Sequence, residues 1–221
     1  MDKTFQYQIW NEFNDKAPLQ FLEGVLISLN DEIDLCLKHF NFSNRIQYAE
    51  QNQQLLFWLC TEMSWMSLLN NAMIRRFGAK VCSLREISLH HNEKGYVGRP
   101  DLLVSFNTED KNYQILFEGK MDEWNGKWKP KDEEKAMKDY YDSIHSQSNK
   151  YIDILTNEVI NNYDPLVVTI GFDWMRSSTA IDSAKSYFSR SKVEMQTDFC
   201  ALYTRGNSGM WTYGKIFGLG L

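Results

Sequence analysis

The spacing of apolar residues changes near Gly78, and this change constrains the fold more than any other feature of the chain. Before it, residues 18–42 carry apolar side chains at the spacing of one or two amphipathic helices. A second long helix is predicted from about residue 44 to residue 77, with Gly78 as its C-terminal stop. After Gly78 the apolar residues come in short runs between turn residues, which is typical of strands.

The rest of the chain alternates predicted strands with predicted helices. Strands are predicted over residues 80–91, 101–107, 113–120, 165–174 and 198–204, and helices over residues 132–159 and 182–191. The glycine-rich tail, residues 206–220, is predicted to be a loop. This order predicts an α/β fold whose mixed central sheet is flanked by helices. Residues 1–50 are then an N-terminal helical extension packed on the core, and residues 51–221 form the main domain.

Composition narrows the class of protein. The chain has 221 residues, 43% of them hydrophobic and 14% aromatic, which excludes a disordered protein. Its net charge of −5 excludes a histone-like polyanion binder, but not an enzyme whose basic residues are confined to one cleft. The N-terminus lacks a signal peptide's basic and apolar regions, and no uncharged stretch is long enough to span a bilayer. The four widely spaced cysteines are predicted to be buried thiols, so we expect a cytoplasmic protein without membrane contact.

Glu62 lies in the middle of an apolar helical stripe. The residues that share its face are Leu55, Trp58, Met66, Leu69 and Met73. A buried carboxylate costs several kcal/mol unless something compensates it. Two interpretations are open: Glu62 reaches the rim or pairs with an arginine such as Arg75, or it stands at the edge of a metal site.

Two further segments carry acids at strand positions. Asp101 follows Pro100 at the start of one predicted strand, and Glu118 and Lys120 point to one face at the end of the next. Carboxylates on neighbouring strands are suitable ligands for Mg²⁺ or Mn²⁺, with the Gly119 carbonyl as a third oxygen. Lys120 would then orient a metal-bound water or help to deprotonate it, aided by a depressed pKa. Glu62 would be an auxiliary ligand, and Arg99 would neutralise a phosphate oxygen.

Three features together resemble the signature of the PD-(D/E)xK nuclease superfamily: Glu62 on a predicted helix, the run Gly98-Arg99-Pro100-Asp101 and the run Glu118-Gly119-Lys120. Downstream, Gln147 and Tyr151 are spaced like the Gln-x-x-x-Tyr element of its RecB-like members, whose Gln and Tyr face the active site or the substrate. The resemblance implies a restriction-endonuclease-like core and a magnesium-dependent nuclease acting on nucleic acid, most often DNA. It also implies a setting in prokaryotic defence or DNA repair.

A basic and aromatic loop follows Lys120. Lys127 and Lys129 alternate with Trp124 and Trp128, so the loop is suited to contact a nucleic-acid backbone and stack a base. The two tryptophans are equally suited to anchor the loop by packing. Dimerisation through the N-terminal helices would favour double-strand cutting by paired sites, as in a homodimer.

Two rival functions remain open at this stage. The same fold without its chemistry would serve as a binding or assembly module that docks a protein partner through its Trp-rich helices. The other rival is a purely structural interaction protein of helices and sheet. Retention of Glu62, Asp101, Glu118 and Lys120 favours the enzyme.

Overall fold

The computed structural model describes residues 3–10, 16–39, 62–91, 95–123, 146, 151, 163–175, 177–188, 190, 192, 197–206 and 208–218. Within these ranges the helices are α1 (Lys16–His39), α2 (Glu62–Phe77) and α3 (Ser178–Phe188). The strands are β1 (Lys3–Ile9), β2 (Val81–Arg85), β3 (Leu89–His91), β4 (Gly95–Gly98), β5 (Leu102–Asn107), β6 (Asn112–Glu123), β7 (Tyr163–Met175), β8 (Phe199–Arg205) and β9 (Ser208–Gly218).

Seven strands form one mixed sheet in the order β1-β8-β9-β7-β6-β5-β2, and β3 and β4 pair separately. Strands β6 and β7 run parallel, whereas every other neighbouring pair in the sheet is antiparallel. A parallel pair needs a long crossover connection, and here the chain between Glu123 and Tyr163 supplies it. The predicted α/β class with a mixed central sheet is confirmed.

Helices cover both faces of this sheet. We call one the α1/α2 face, where Ile115 and Phe117 of β6 join one large apolar core with both helices. We call the other the α3 face, where Trp211 and Tyr213 of β9 pack with α3. Because successive strand residues point to opposite faces, Leu116, Glu118 and Lys120 belong to the α3 face.

The N-terminal segment is not purely helical, which corrects the sequence prediction. Lys3–Ile9 forms strand β1 at the sheet edge, antiparallel to β8. Its signal is the alternation of Phe5, Tyr7 and Ile9, whose side chains pack on the main core while the residues between them are exposed. Helix α1 belongs to the same core, and the proposed domain boundary at residue 50 lies outside the described residues.

The predicted C-terminal loop is also wrong, because residues 208–218 form strand β9 between β8 and β7. Its glycines reflect close packing instead of a turn. A Cβ on Gly214 would overlap the Thr169 carbonyl and the Phe199 ring, and one on Gly209 would lie 2.6 Å from the Tyr203 carbonyl oxygen.

The structure also bears on the predicted end of the second helix, the strand at residues 80–91 and the cysteines. Helix α2 ends at Phe77, and Gly78 has a φ of +55°, so the predicted helix stop is confirmed. The predicted strand at residues 80–91 is interrupted at Glu86. The described cysteines are free thiols; Cys200 is buried as predicted, whereas Cys36 is half-buried and Cys82 is exposed. In the described residues no helix has the length and apolarity to cross a bilayer.

Candidate active site

Asp101 and Glu118 meet at one end of the β5–β6 hairpin. Leu102 is registered opposite Phe117, so the next position outward places Asp101 opposite Glu118. Residues opposite each other in an antiparallel pair lie about 5 Å apart at their Cα atoms. The Asp101 carboxylate accepts a hydrogen bond from the Gly119 N–H at 2.7 Å. The two acids singled out from the sequence are therefore neighbours in the fold.

Glu118 is a buried acid with an unsatisfied oxygen. Its residue is 2% exposed, and within the described structure its Oε2 atom has no hydrogen-bond partner. Burial, and next the Asp101 carboxylate, raise the pKa of Glu118 to about 7. Burial also raises the pKa of Asp101, although the hydrogen bond from Gly119 opposes this. A positive charge beside this pair would favour ionisation of both acids.

Lys120 links Glu118 to Glu62. Its Nζ atom lies 3.6 Å from Glu118 Oε1 and donates a hydrogen bond to Glu62 Oε1 at 3.3 Å. Glu62 is the first residue of α2 that the structure describes. The alternative pairing of Glu62 with Arg75 is wrong, because Arg75 instead contacts the buried Glu32.

The sequence predicts a depressed Lys120 pKa beside a bound cation, and in the protein without a cation this pKa is raised. Burial would lower the pKa, but the carboxylates of Glu62 and Glu118 outweigh it and raise the pKa above its ordinary value. Lys120 is therefore a protonated donor at neutral pH. It is suited to hold or orient an oxygen atom, not to remove a proton.

Gly119 lets helix α2 approach the sheet at this point. A Cβ there would lie 2.6 Å from the Met66 Sδ atom, so the glycine makes room for the helix that carries Glu62. A strand residue directs its N–H and its C=O toward the same neighbouring strand. The carbonyl of Gly119 is accordingly expected on the Asp101 side, as a third oxygen at the site predicted from the sequence.

Glu86 is a site residue that the sequence analysis missed. It is the non-glycine residue with a positive φ, +49°, in the described structure. Its N–H donates to the Asp101 carbonyl at 3.1 Å, and its carboxylate lies 3.8 Å from the Arg99 guanidinium. Nothing in the spacing of the acids singles it out. Arg99 is largely exposed, as a predicted phosphate contact requires.

Tyr151 is enclosed by protein, whereas the resemblance implies that it faces the active site or the substrate. It is 1% exposed and packs with Leu116 and Val167 on the α3 face. A Cβ on Gly98 would lie 2.9 Å from its ring, so Tyr151 packs directly on the segment that leads to Asp101. Tyr151 therefore supports the segment that leads to Asp101 from its buried side.

Three other predicted substrate contacts are outside the described residues. These are Gln147, Lys127 and Lys129, together with Trp124 and Trp128 of the basic loop. Among the described side chains, no group of three or more His, Cys, Asp or Glu is arranged to hold a metal ion. A site here would therefore combine the two carboxylates with backbone or water oxygens.

Comparisons with known proteins identify no relative of this chain. No protein-family model, no curated protein and no solved structure matches it.

Proposed function

We propose that this protein is a divalent-metal-dependent nuclease that hydrolyses phosphodiester bonds, with DNA as its substrate, on a restriction-endonuclease-like core. The proposal rests on the chemistry of the site and on the PD-(D/E)xK-like motifs in the sequence. Prokaryotic defence or DNA repair is the setting that this resemblance implies.

The observation that carries the proposal is the Oε2 atom of Glu118, which has no hydrogen-bond partner in the part of the chain that the structure describes. A buried carboxylate oxygen without a partner costs free energy, and a second carboxylate lies directly opposite in the sheet. Proteins retain such costly arrangements mainly at functional sites. A divalent cation would satisfy both acids at once.

The residues present fit Mg²⁺ or Mn²⁺. Both ions prefer hard oxygen ligands and keep several waters, so Asp101, Glu118 and the Gly119 carbonyl are a sufficient protein contribution. When bound, such an ion polarises a phosphoryl oxygen and lowers the pKa of a coordinated water.

The remaining steps belong to side chains of this chain. The Lys120 ammonium orients the attacking water and offsets negative charge on the phosphate. Glu62 holds the lysine in place by the hydrogen bond at 3.3 Å and is an auxiliary oxygen donor. Arg99, which is exposed beside Glu86, is placed to neutralise a non-bridging oxygen.

One rival function finds less support. A binding module that docks partners through its Trp-rich helices needs exposed tryptophans. Trp65, the tryptophan of α2, is fully buried and stacks on Phe172 of the sheet. Its role is therefore in the core.

The test is cleavage of linear double-stranded DNA, single-stranded DNA and RNA with Mg²⁺ or Mn²⁺. Wild type is compared with Lys120→Ala and with Lys135→Ala, the lysine of the Glu133-x-Lys135 run in a charge-dense segment. We expect loss of an orienting charge to lower the rate by about 10²- to 10³-fold in Lys120→Ala alone. Equal activity in both variants, or no cleavage and no cation binding by wild type, would contradict the proposal.

A further inference from the structure

Glu86 lies where the chain leaves the seven-stranded sheet. Strand β2 ends at Arg85, and the next strand, β3, belongs to the separate pair with β4. The Glu86 N–H still donates to the Asp101 carbonyl at 3.1 Å, so this residue is tied directly to the candidate site. Its φ of +49° lies in the left-handed region.

A left-handed φ is costly for a glutamate but not for a glycine. The other positive-φ positions in the described part of the chain are all glycines, Gly78, Gly95 and Gly206. Glu86 therefore keeps a side chain at a backbone position where a glycine would be less strained. Proteins retain strain of this kind mainly at functional sites, which indicates a role for the Glu86 side chain.

Within the described residues, the Glu86 carboxylate forms an ion pair with the Arg99 guanidinium. Its Oε2 atom lies 3.8 Å from Arg99 Nη1, and the Arg99 and Glu86 side chains are 55% and 38% exposed. An ion pair this exposed contributes little to stability, so stability does not explain why Glu86 is retained. Because the separation exceeds the length of a hydrogen bond, the guanidinium keeps its donors for another acceptor.

The residue before Glu86 anchors this segment to helix α2. The Arg85 Nη2 atom donates to the Met63 carbonyl at 3.3 Å, and Met63 directly follows Glu62. Glu86 itself is anchored to the Asp101 carbonyl. The backbone from which the Glu86 side chain starts is therefore held at two points, and a residue that positions another group needs such support.

We propose that Glu86 is a positioning residue whose carboxylate holds the Arg99 guanidinium beside the scissile phosphate, where Arg99 neutralises a non-bridging oxygen. This inference rests on the proposed nuclease function and adds the group that orients its arginine. An arginine side chain has several rotatable bonds, and the ion pair restricts them before the substrate arrives. Because Arg99 acts most strongly where negative charge grows in the transition state, its orientation should affect kcat more than KM.

The test is a double-mutant cycle on the cleavage of linear DNA with Mg²⁺. It compares wild type with Glu86→Gln, with Arg99→Ala and with the double variant. Glu109→Gln is the control, because Glu109 is an exposed acid in the turn at the opposite end of the β5–β6 hairpin from Asp101. A further variant, Glu86→Gly, removes both the carboxylate and the backbone strain. Urea denaturation measures the stability of each protein.

Glu86→Gln should lower kcat by about tenfold and leave KM within about twofold, because the arginine is present but less well oriented. In the Arg99→Ala background the same change should alter kcat by no more than about twofold, since Glu86 acts through Arg99. Glu109→Gln should cleave at the wild-type rate. Glu86→Gly should lose as much activity as Glu86→Gln and yet be at least as stable as wild type.

Three results would overturn this inference alone, provided that wild type cleaves DNA. The first is a kcat of Glu86→Gln equal to that of wild type. The second is an equal loss in the wild-type and Arg99→Ala backgrounds, which would mean that Glu86 acts through another group. The third is a clear loss of stability in Glu86→Gly, which would assign the side chain a structural role. Absence of cleavage by wild type would overturn the nuclease proposal as well.

Discussion

The two faces of the central sheet differ in how their side chains are covered. On the α1/α2 face, both helices and all seven strands of the sheet contribute to one continuous apolar core. On the α3 face, two apolar clusters are separated by a row of polar side chains, Glu118, Thr169 and Lys215, which are registered with one another across β6, β7 and β9. The continuous core of the α1/α2 face stabilises the fold. On the α3 face, polar side chains interrupt the apolar packing, and one of them, Glu118, belongs to the candidate site.

Two buried glutamates show the same contrast. Glu32 in α1 and Glu118 in β6 are 3% and 2% exposed. Glu32 contacts the Arg75 guanidinium, so its charge is compensated within the helical layer. Among the described residues, Glu118 is paired only with the ammonium of Lys120 at 3.6 Å, and Lys120 also donates to Glu62. A buried acid whose charge is only partly neutralised by the fold is a candidate for a catalytic or ligand-binding role.

The largest effect on stability is expected from the continuous core. Trp65→Ala removes a fully buried indole that stacks on Phe172, and should lower the free energy of unfolding by about 3–5 kcal/mol. Urea denaturation measures this change. Leu84→Ala, at a side chain 56% exposed on the α3 face, is the control and should stay within about 0.5 kcal/mol. A cost below about 1 kcal/mol for Trp65→Ala would contradict the assignment of stability to this face.

Replacing Glu118 should stabilise the cation-free protein. Because its pKa is raised to about 7, the folded state holds a proton that the unfolded state releases above its ordinary pKa of 4.5. Stability therefore falls as pH rises from about 4.5 to about 7, by about 3 kcal/mol in total. Glu118→Gln should recover this amount at pH 8 and gain nothing at pH 4, as measured by urea denaturation in EDTA.

The matched control for this change is Glu109→Gln, an exposed acid in the β5–β6 turn. It should show no gain at either pH. If Glu118→Gln destabilises the protein at pH 8, the carboxylate is compensated after all and the contrast between the two faces fails.

Gly119→Ala should disturb the contact between helix α2 and strand β6 beside the candidate site. The added Cβ would lie 2.6 Å from Met66 Sδ, so helix α2 must shift or Met66 must change rotamer. Overpacking of this kind costs about 1–3 kcal/mol. The double variant Gly119→Ala/Met66→Ala should recover part of the loss relative to the sum of the single variants, as a double-mutant cycle measures. Strict additivity would argue against this contact.

The smallest effect is a shift in the pH dependence of cleavage. Cation binding requires ionised Glu118, so at low Mg²⁺ the rate should rise with pH through about 7. A tenfold increase in Mg²⁺ should move the midpoint lower by up to about one pH unit, because the cation and the proton compete. Initial rates across pH at several Mg²⁺ concentrations measure this. A midpoint that does not depend on Mg²⁺ would assign the titration to another group.

The sequence predicted the local elements of the site but not the sheet that surrounds it. Strong apolar runs identified β5 and β6, and the acids at their ends follow from strand register. The sequence predicts a loop at β9 because glycines such as Gly209 and Gly214 are common in turns, whereas in the structure they permit close contact between strands. Strand β1 was missed because its alternating residues are only partly buried.

The surroundings of the site could not be read from spacing alone. Lys120 was expected to have a depressed pKa, but its final pKa depends on two carboxylates from distant parts of the chain. Glu86 approaches the site only through the long-range pairing of β2 with β5. Tyr151 matched a motif, yet its burial depends on the packing of Leu116 and Val167.

The most direct test of the central claim is calorimetric titration of the protein with Mn²⁺ at pH 6.5 in two buffers of different ionisation enthalpy. We predict one site in wild type and in Glu109→Gln, with release of most of one proton as Glu118 ionises on binding. The same titration should show no such site in Glu118→Gln or Asp101→Asn. Mn²⁺ binding that persists unchanged in Glu118→Gln, or its absence from the wild-type protein, would contradict the assignment of a cation site to Asp101 and Glu118.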